Sequence, residues 1–126
     1  MGLRLLRLTA AAQGAYYLVT GLWPWMHLRS FEAIAGPKTD DWLVQSFGLV
    51  IAVVGVVLLY AARYRSFGRA IVILGVGCAL ALGFVSAWFA LRDVVWDTYL
   101  LDAAAEATIV AGWAVGLWNR RTSAST

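Results

Sequence analysis

The chain is 126 residues long, 62% hydrophobic and only 13% charged, with a formal net charge of +3. A soluble domain averages about 45–50% apolar and about 25% charged, so both figures depart toward a membrane protein. One cysteine, one histidine and no phosphate-loop or nucleophile-elbow motif exclude an internal disulfide, paired-histidine haem ligation, a zinc cluster and the common nucleotide and hydrolase signatures; no cofactor or metal is expected.

The first predicted span covers about residues 8–26. Arg4 and Arg7 precede it as in a secretory leader, but Gln13, Tyr16, Tyr17 and Thr20 interrupt the apolar run and no small-x-small site follows. It therefore reads as a retained helix. Residues 27–40 place Leu28, Phe31 and Ile34 at three-residue spacing ahead of Gly36-Pro37, which predicts a short amphipathic turn in the outer interface. Thr39 or Asp40 is suited to cap the helix that follows. The second span is about 41–63 and the third about 69–91; neither Asp41–Arg63 nor Arg69–Arg92 encloses any Asp, Glu, Lys, Arg or His. Such runs read as transmembrane helices. The fourth span is about 96–118, and 119–126 reads as a polar, disordered cytoplasmic tail. Each span has about 19–23 residues, or about 28–34 Å of helix, against a hydrocarbon core of about 30 Å.

These spans predict a single all-α domain, an integral membrane up-down-up-down four-helix bundle. The short connection YRSFGR makes the second and third spans antiparallel neighbours, and the turn at Arg92-Asp93 does the same for the third and fourth. One side of the membrane collects Arg4, Arg7, Arg63, Arg65, Arg69, Arg120 and Arg121 with no acid among them. The other has Arg29, Lys38 and Arg92, outnumbered by Glu32, Asp40, Asp41, Asp93 and Asp97. The positive-inside rule then places both termini in the cytoplasm of a multi-pass inner-membrane protein, with the lipid bilayer as first partner and no nucleic acid. Trp23, Trp25, Trp42 and Trp96 mark the outer interface; Tyr60, Tyr64 and Trp118 mark the inner one.

Small residues recur every three or four positions: Gly48, Ala52 and Gly55; Gly75, Ala79, Gly83 and Ala87; Gly112 and Gly116. Such stripes let helix backbones approach closely, within the bundle or across a homodimer or larger membrane complex.

The informative feature is LLDAAAEATIV in the fourth span. Counted from Trp96, Asp102 lies about 9 Å and Glu106 about 15 Å into the membrane, the latter near its midplane. An acid there costs about 2.5–3.5 kcal/mol on insertion scales, so both must point inward. At about 100° per residue they sit about 40° apart, on a face that also carries Tyr99 and Trp113. Two carboxyls one turn apart in a low dielectric cannot both stay ionised cheaply, so at least one is expected to hold a proton. The stripe Gln13, Tyr16, Tyr17, Thr20 is the natural partner, with Gln13 opposite Glu106 and Tyr17 and Thr20 at the depth of Asp102. Gln45, Ser46, Ser86 and Arg92 add polar groups to the outer half, whereas the inner halves of the second and third spans are almost purely apolar.

The stretch FEAIAGPKTDDWLVQSFG, with Gly36, Pro37, Lys38, Thr39, Asp40, Trp42, Leu43 and Val44, resembles a motif of small bacterial four-helix membrane proteins. That resemblance implies no activity.

The expectation is therefore an outward-facing acidic pocket that binds a proton, a cation or a small amphiphilic ligand. It is built from Asp102, Glu106, Gln13, Tyr17, Thr20, Gln45, Tyr99 and Arg92, with transport as its extension. Two alternatives stand beside it. One is an accessory subunit of a larger membrane complex, using Gly112 and Gly116 as a docking stripe. The other is a lipid-modifying enzyme with Asp102 and Glu106 as acid and base.

Overall fold

The computed structural model describes residues 2–36 and 40–124, and over these the chain is helical, with no strand. The five helices are α1 (Gly2–Met26), α2 (Leu28–Ala35), α3 (Asp41–Tyr64), α4 (Arg69–Leu91) and α5 (Thr98–Ala124). Three segments are long and apolar enough to cross a membrane: α3, α4 and Thr98–Thr122 of α5. The 25-residue α1 has the length but is not among them, because its polar stripe and its Trp-Pro-Trp end interrupt the apolar run. Lys38 and the proposed cap Thr39 lie outside the described residues. Asp40 stands at the N-cap of α3, but its side chain makes no capping hydrogen bond.

The amphipathic turn expected after the first span is α2. His27 caps it: Nδ1 accepts from the Ser30 N–H at 3.1 Å, and the Ser30 hydroxyl returns a bond to the His27 carbonyl at 3.0 Å. Trp23 fastens it to α1, its Nε1 donating to Ser30 Oγ at 2.7 Å while its ring meets Phe31 edge-on. The chain leaves α2 through Gly36, which is buried at φ 98° against the Trp96 ring. Any side chain there would meet both a backbone it rarely adopts and an indole.

The glycine stripes set the helix order. Gly14 and Gly21 of α1 lie against Gly55 and Gly48 of α3, so closely that a Cβ on Gly55 would stand 2.6 Å from the Gly14 carbonyl oxygen. On an adjacent face α1 meets α5, with Thr9 over Gly112 and Leu6 over Gly116. In turn α4 receives α5, with Trp113 over Gly75 and Glu106 over Gly83. In each pair rising numbers on one helix meet falling numbers on the other, so neighbours are antiparallel. Gly112 and Gly116, the stripe considered for docking, thus pack against α1.

Two expectations are corrected. The second and third spans were expected to be close neighbours, but α3 and α4 touch only sparsely. The small-residue face of α3 is occupied by α1 and that of α4 by α5, which leaves α3 and α4 few direct contacts. The last long helix also runs past the predicted span limit at about residue 118. Helix α5 continues to Ala124, with Arg120 Nη1 donating to the Phe67 carbonyl at 3.0 Å and Gly2 of α1 packed against the backbone at Asn119 and Arg120. The apolar core joins Leu6, Ala10 and Tyr17 of α1 to Leu58 and Ala61 of α3, to Phe67 and to Trp113 of α5.

Candidate functional site

The polar stripe of α1 and the acidic face of α5 meet as their helical periods require. Asp102 is held by two hydroxyls: Tyr16 donates to Oδ1, and Ser86 of α4 donates to Oδ2 at 2.6 Å. One turn further along α5, Glu106 is fully buried. Its Oε2 accepts from the Tyr17 hydroxyl at 2.9 Å, and its Oε1 has no hydrogen-bond partner. The bare Gly83 of α4 makes room for it; a Cβ there would stand 3.1 Å from Glu106 Cβ.

Behind Tyr17 the network continues. Gln13 Nε2 donates to the Tyr17 hydroxyl at 3.1 Å and to the Gly75 carbonyl of α4 at 2.8 Å, and Gln13 Oε1 accepts from Trp113 Nε1 at 2.7 Å. Both amide donors and one acceptor position are used, so the amide orientation is fixed by its partners. Gln13, Tyr17, Glu106 and Trp113 are each at most 1% exposed. The chain Trp113–Gln13–Tyr17–Glu106 is therefore a directed relay of donors that ends on a carboxylate oxygen.

Of the expected site residues, Asp102, Glu106, Gln13 and Tyr17 come together. Their register differs by about one turn from the sequence reading: Gln13 faces Trp113, Tyr17 faces Glu106 and Tyr16 faces Asp102. The cause is the seating of Leu6 and Thr9 on Gly116 and Gly112, which fixes where α1 stops along α5. The remaining four lie elsewhere. Thr20 turns its hydroxyl onto the Tyr16 carbonyl of its own helix at 2.7 Å. Gln45 reaches the Pro24 carbonyl at 3.3 Å, bracing the end of α1. Arg92 lies over the Trp88 ring, 3.6 Å from its centroid. Tyr99 is half-buried in the first turn of α5, its N–H bonded to the Trp96 carbonyl at 3.0 Å.

Tyr16, Ser86 and Trp113 complete the cluster. Their signal was positional: Tyr16 is three residues from Gln13, Trp113 seven from Glu106, and Ser86 the single hydroxyl in an otherwise apolar span. Glu106 itself is enclosed by side chains. A groove of about 470 Å³ lies elsewhere, between the arginine-bearing ends of α1 and α3. Among the described residues no group of three or more His, Cys, Asp or Glu is placed to hold a metal ion.

Comparison with known proteins finds no counterpart: no family model, no curated protein and no solved structure matches the chain.

Proposed function

We propose that the chain is an integral membrane protein whose α1, α3, α4 and α5 cross the bilayer as an up-down-up-down bundle, both termini cytoplasmic, and that Glu106 is its proton-binding group. Support for the membrane comes from the exterior. Val53, Ile73, Leu80, Phe84 and Leu101 are all more than half exposed, a continuous apolar surface that soluble monomers rarely carry.

One observation carries the proton site: Glu106 is wholly enclosed, yet Oε1 is left without a partner. A carboxylate in that position would bury a full charge with one oxygen unmet, which is far costlier than burying a neutral acid. Both oxygens of Asp102 already accept from hydroxyls, so of the two acids Glu106 is the one with a free oxygen for a proton. A proton needs no cavity, which distinguishes it from the larger ligands considered from sequence. Loss of the proton would place a charge where α1, α4 and α5 meet and would push those helices apart. Binding of a cation in its place, and transport, are the extensions of this reading.

Infrared difference spectra of the protein in lipid across about pH 5 to 8 test it, a range in which a buried carboxyl can change its proton. The expected result is a protonated-carboxyl C=O band that disappears at the alkaline end and is absent from Glu106→Gln. Melting should agree. Folding takes up a proton that the unfolded chain does not hold, so the wild type should lose stability as pH rises while Glu106→Gln stays flat. A wild type with no such band, melting in parallel with Glu106→Gln at every pH, removes the proposal.

A further inference from the structure

The groove between α1 and α3 has a composition that neither the fold nor the acidic cluster requires. Arg4, Arg7 and Arg63 stand at one end, and Leu8, Ala11 and Leu59 line the rest. Arg4 and Ala11 are seven residues apart on α1, so the lining runs about 10 Å from the arginines toward the middle of the helices. Ala11 and Ala62 are the small residues that leave it open. Arg7 is fixed there by its Nε, which donates to the Ala62 carbonyl at 3.0 Å and leaves the terminal guanidinium N–H groups to spare. Arg63 lies 5.3 Å from the Tyr64 ring centroid, at the level of the inner aromatic belt. Among the described residues no carboxylate lines the groove, and the segments that share its end of the molecule, 2–9, 60–72 and 115–124, contain no Asp or Glu.

Helix termini rich in arginine satisfy membrane topology wherever the side chains point. Topology does not require three of them, from two helices, to converge on one apolar trough. We infer that the groove is a binding site for an anionic phospholipid of the cytoplasmic leaflet, its phosphate held by Arg4, Arg7 and Arg63 and one acyl chain lying along Leu8, Ala11 and Leu59. The planar guanidinium fork suits phosphate oxygens, and the leaflet supplies anionic headgroups at that depth. A soluble anion would use the arginines but not the apolar limb. The inference rests on the membrane placement proposed above and is independent of Glu106.

The test is lipid binding to delipidated protein in neutral detergent, read by native mass spectrometry and by thermal shift. The probes are phosphatidylglycerol, phosphatidylcholine and glycerol phosphate. Phosphatidylglycerol should bind at least tenfold more tightly than either of the others. Each arginine near an anionic membrane surface is worth about fivefold, so Arg4→Gln/Arg63→Gln should weaken it about 25-fold. This pair leaves the Arg7–Ala62 bond intact, so folding is preserved, as the melting curve without lipid will confirm. The control is Arg65→Gln/Arg121→Gln, which removes the same charge outside the groove and should leave binding within about twofold.

Equal binding of the two lipids, or an equal loss in the control pair, overturns the site. Binding of glycerol phosphate as tight as that of phosphatidylglycerol overturns the lipid in favour of a free phosphate compound. Recovery of the native chain in the soluble fraction of cells would instead overturn the membrane placement itself.

Discussion

Gln13 is the residue on which most of the buried polar network depends. It alone touches α4, α5 and a neighbouring turn of its own helix, through Gly75, Trp113 and Tyr17. Gln13→Leu keeps the volume but leaves the Trp113 N–H without an acceptor and the Tyr17 hydroxyl without a donor. Stranding a buried polar group costs about 1–3 kcal/mol, whereas interhelical hydrogen bonds measured in a membrane protein average only about 0.6 kcal/mol. The larger figure applies here because the Trp113 indole, at 0% exposure, has no route to water or to a substitute partner. Gln13→Leu should therefore destabilise by at least 1 kcal/mol, and Gln13→Leu/Trp113→Phe, which removes donor and acceptor together, should recover part of that. Reversible denaturation in mixed micelles measures both. The reach of Gln13 could not be read from sequence. Periodicity gives the face on which a side chain lies, but its level against a neighbour depends on where the glycines let the backbones settle.

At the scale of helices, the small-residue stripes separate structural glycines from incidental ones. A Cβ on Gly14 would stand 2.8 Å from the Gly55 carbonyl oxygen, while one on Gly77 meets nothing within 4 Å. Gly14→Ala should part α1 from α3 and destabilise by about 1–3 kcal/mol through overpacking. Gly77→Ala should be neutral or slightly stabilising, since alanine is the better helix former. Both are read by the same denaturation. The stripes themselves were plain in the sequence, as were α2 and the limits of α3 and α4, because charge-free runs and breaker residues such as Gly68 punctuate them. The partner of each stripe was not legible. A stripe announces that some helix will come close without saying which, and the assumption that consecutive spans pair failed for α3 and α4. The start of α5 was also obscure: Asp93 takes φ 59° and the helix begins only at Thr98.

For the whole molecule, the distribution of charge gives a prediction about orientation. Arg29 is exposed on α2, and Arg65 is exposed at the opposite end, beyond α3. With Cys78 replaced by alanine, Arg29→Cys should react with a membrane-impermeant thiol reagent in intact cells, and Arg65→Cys only after the cells are opened. The reverse pattern would invert the proposed topology. The expectation rests on counts of arginine at span ends, quantities that do not depend on packing. The four-span reading meets its exception in α1 for a physical reason: the polar residues that join it to α5 also interrupt its apolar run.

That central helix has a consequence in time. Tyr16 and its partner Asp102 are separated by 86 positions, and Tyr17 and Glu106 by 89. At about 5–20 residues per second, synthesis of the intervening chain takes about 4–18 s. During that interval α1 can already seat its glycines on α3, but Gln13, Tyr16 and Tyr17 have no α5 to receive them. Until α5 arrives the nascent chain thus carries an unsheltered polar face on α1. Arrival of α5 closes that face, so α1 is secured by a segment made long after it.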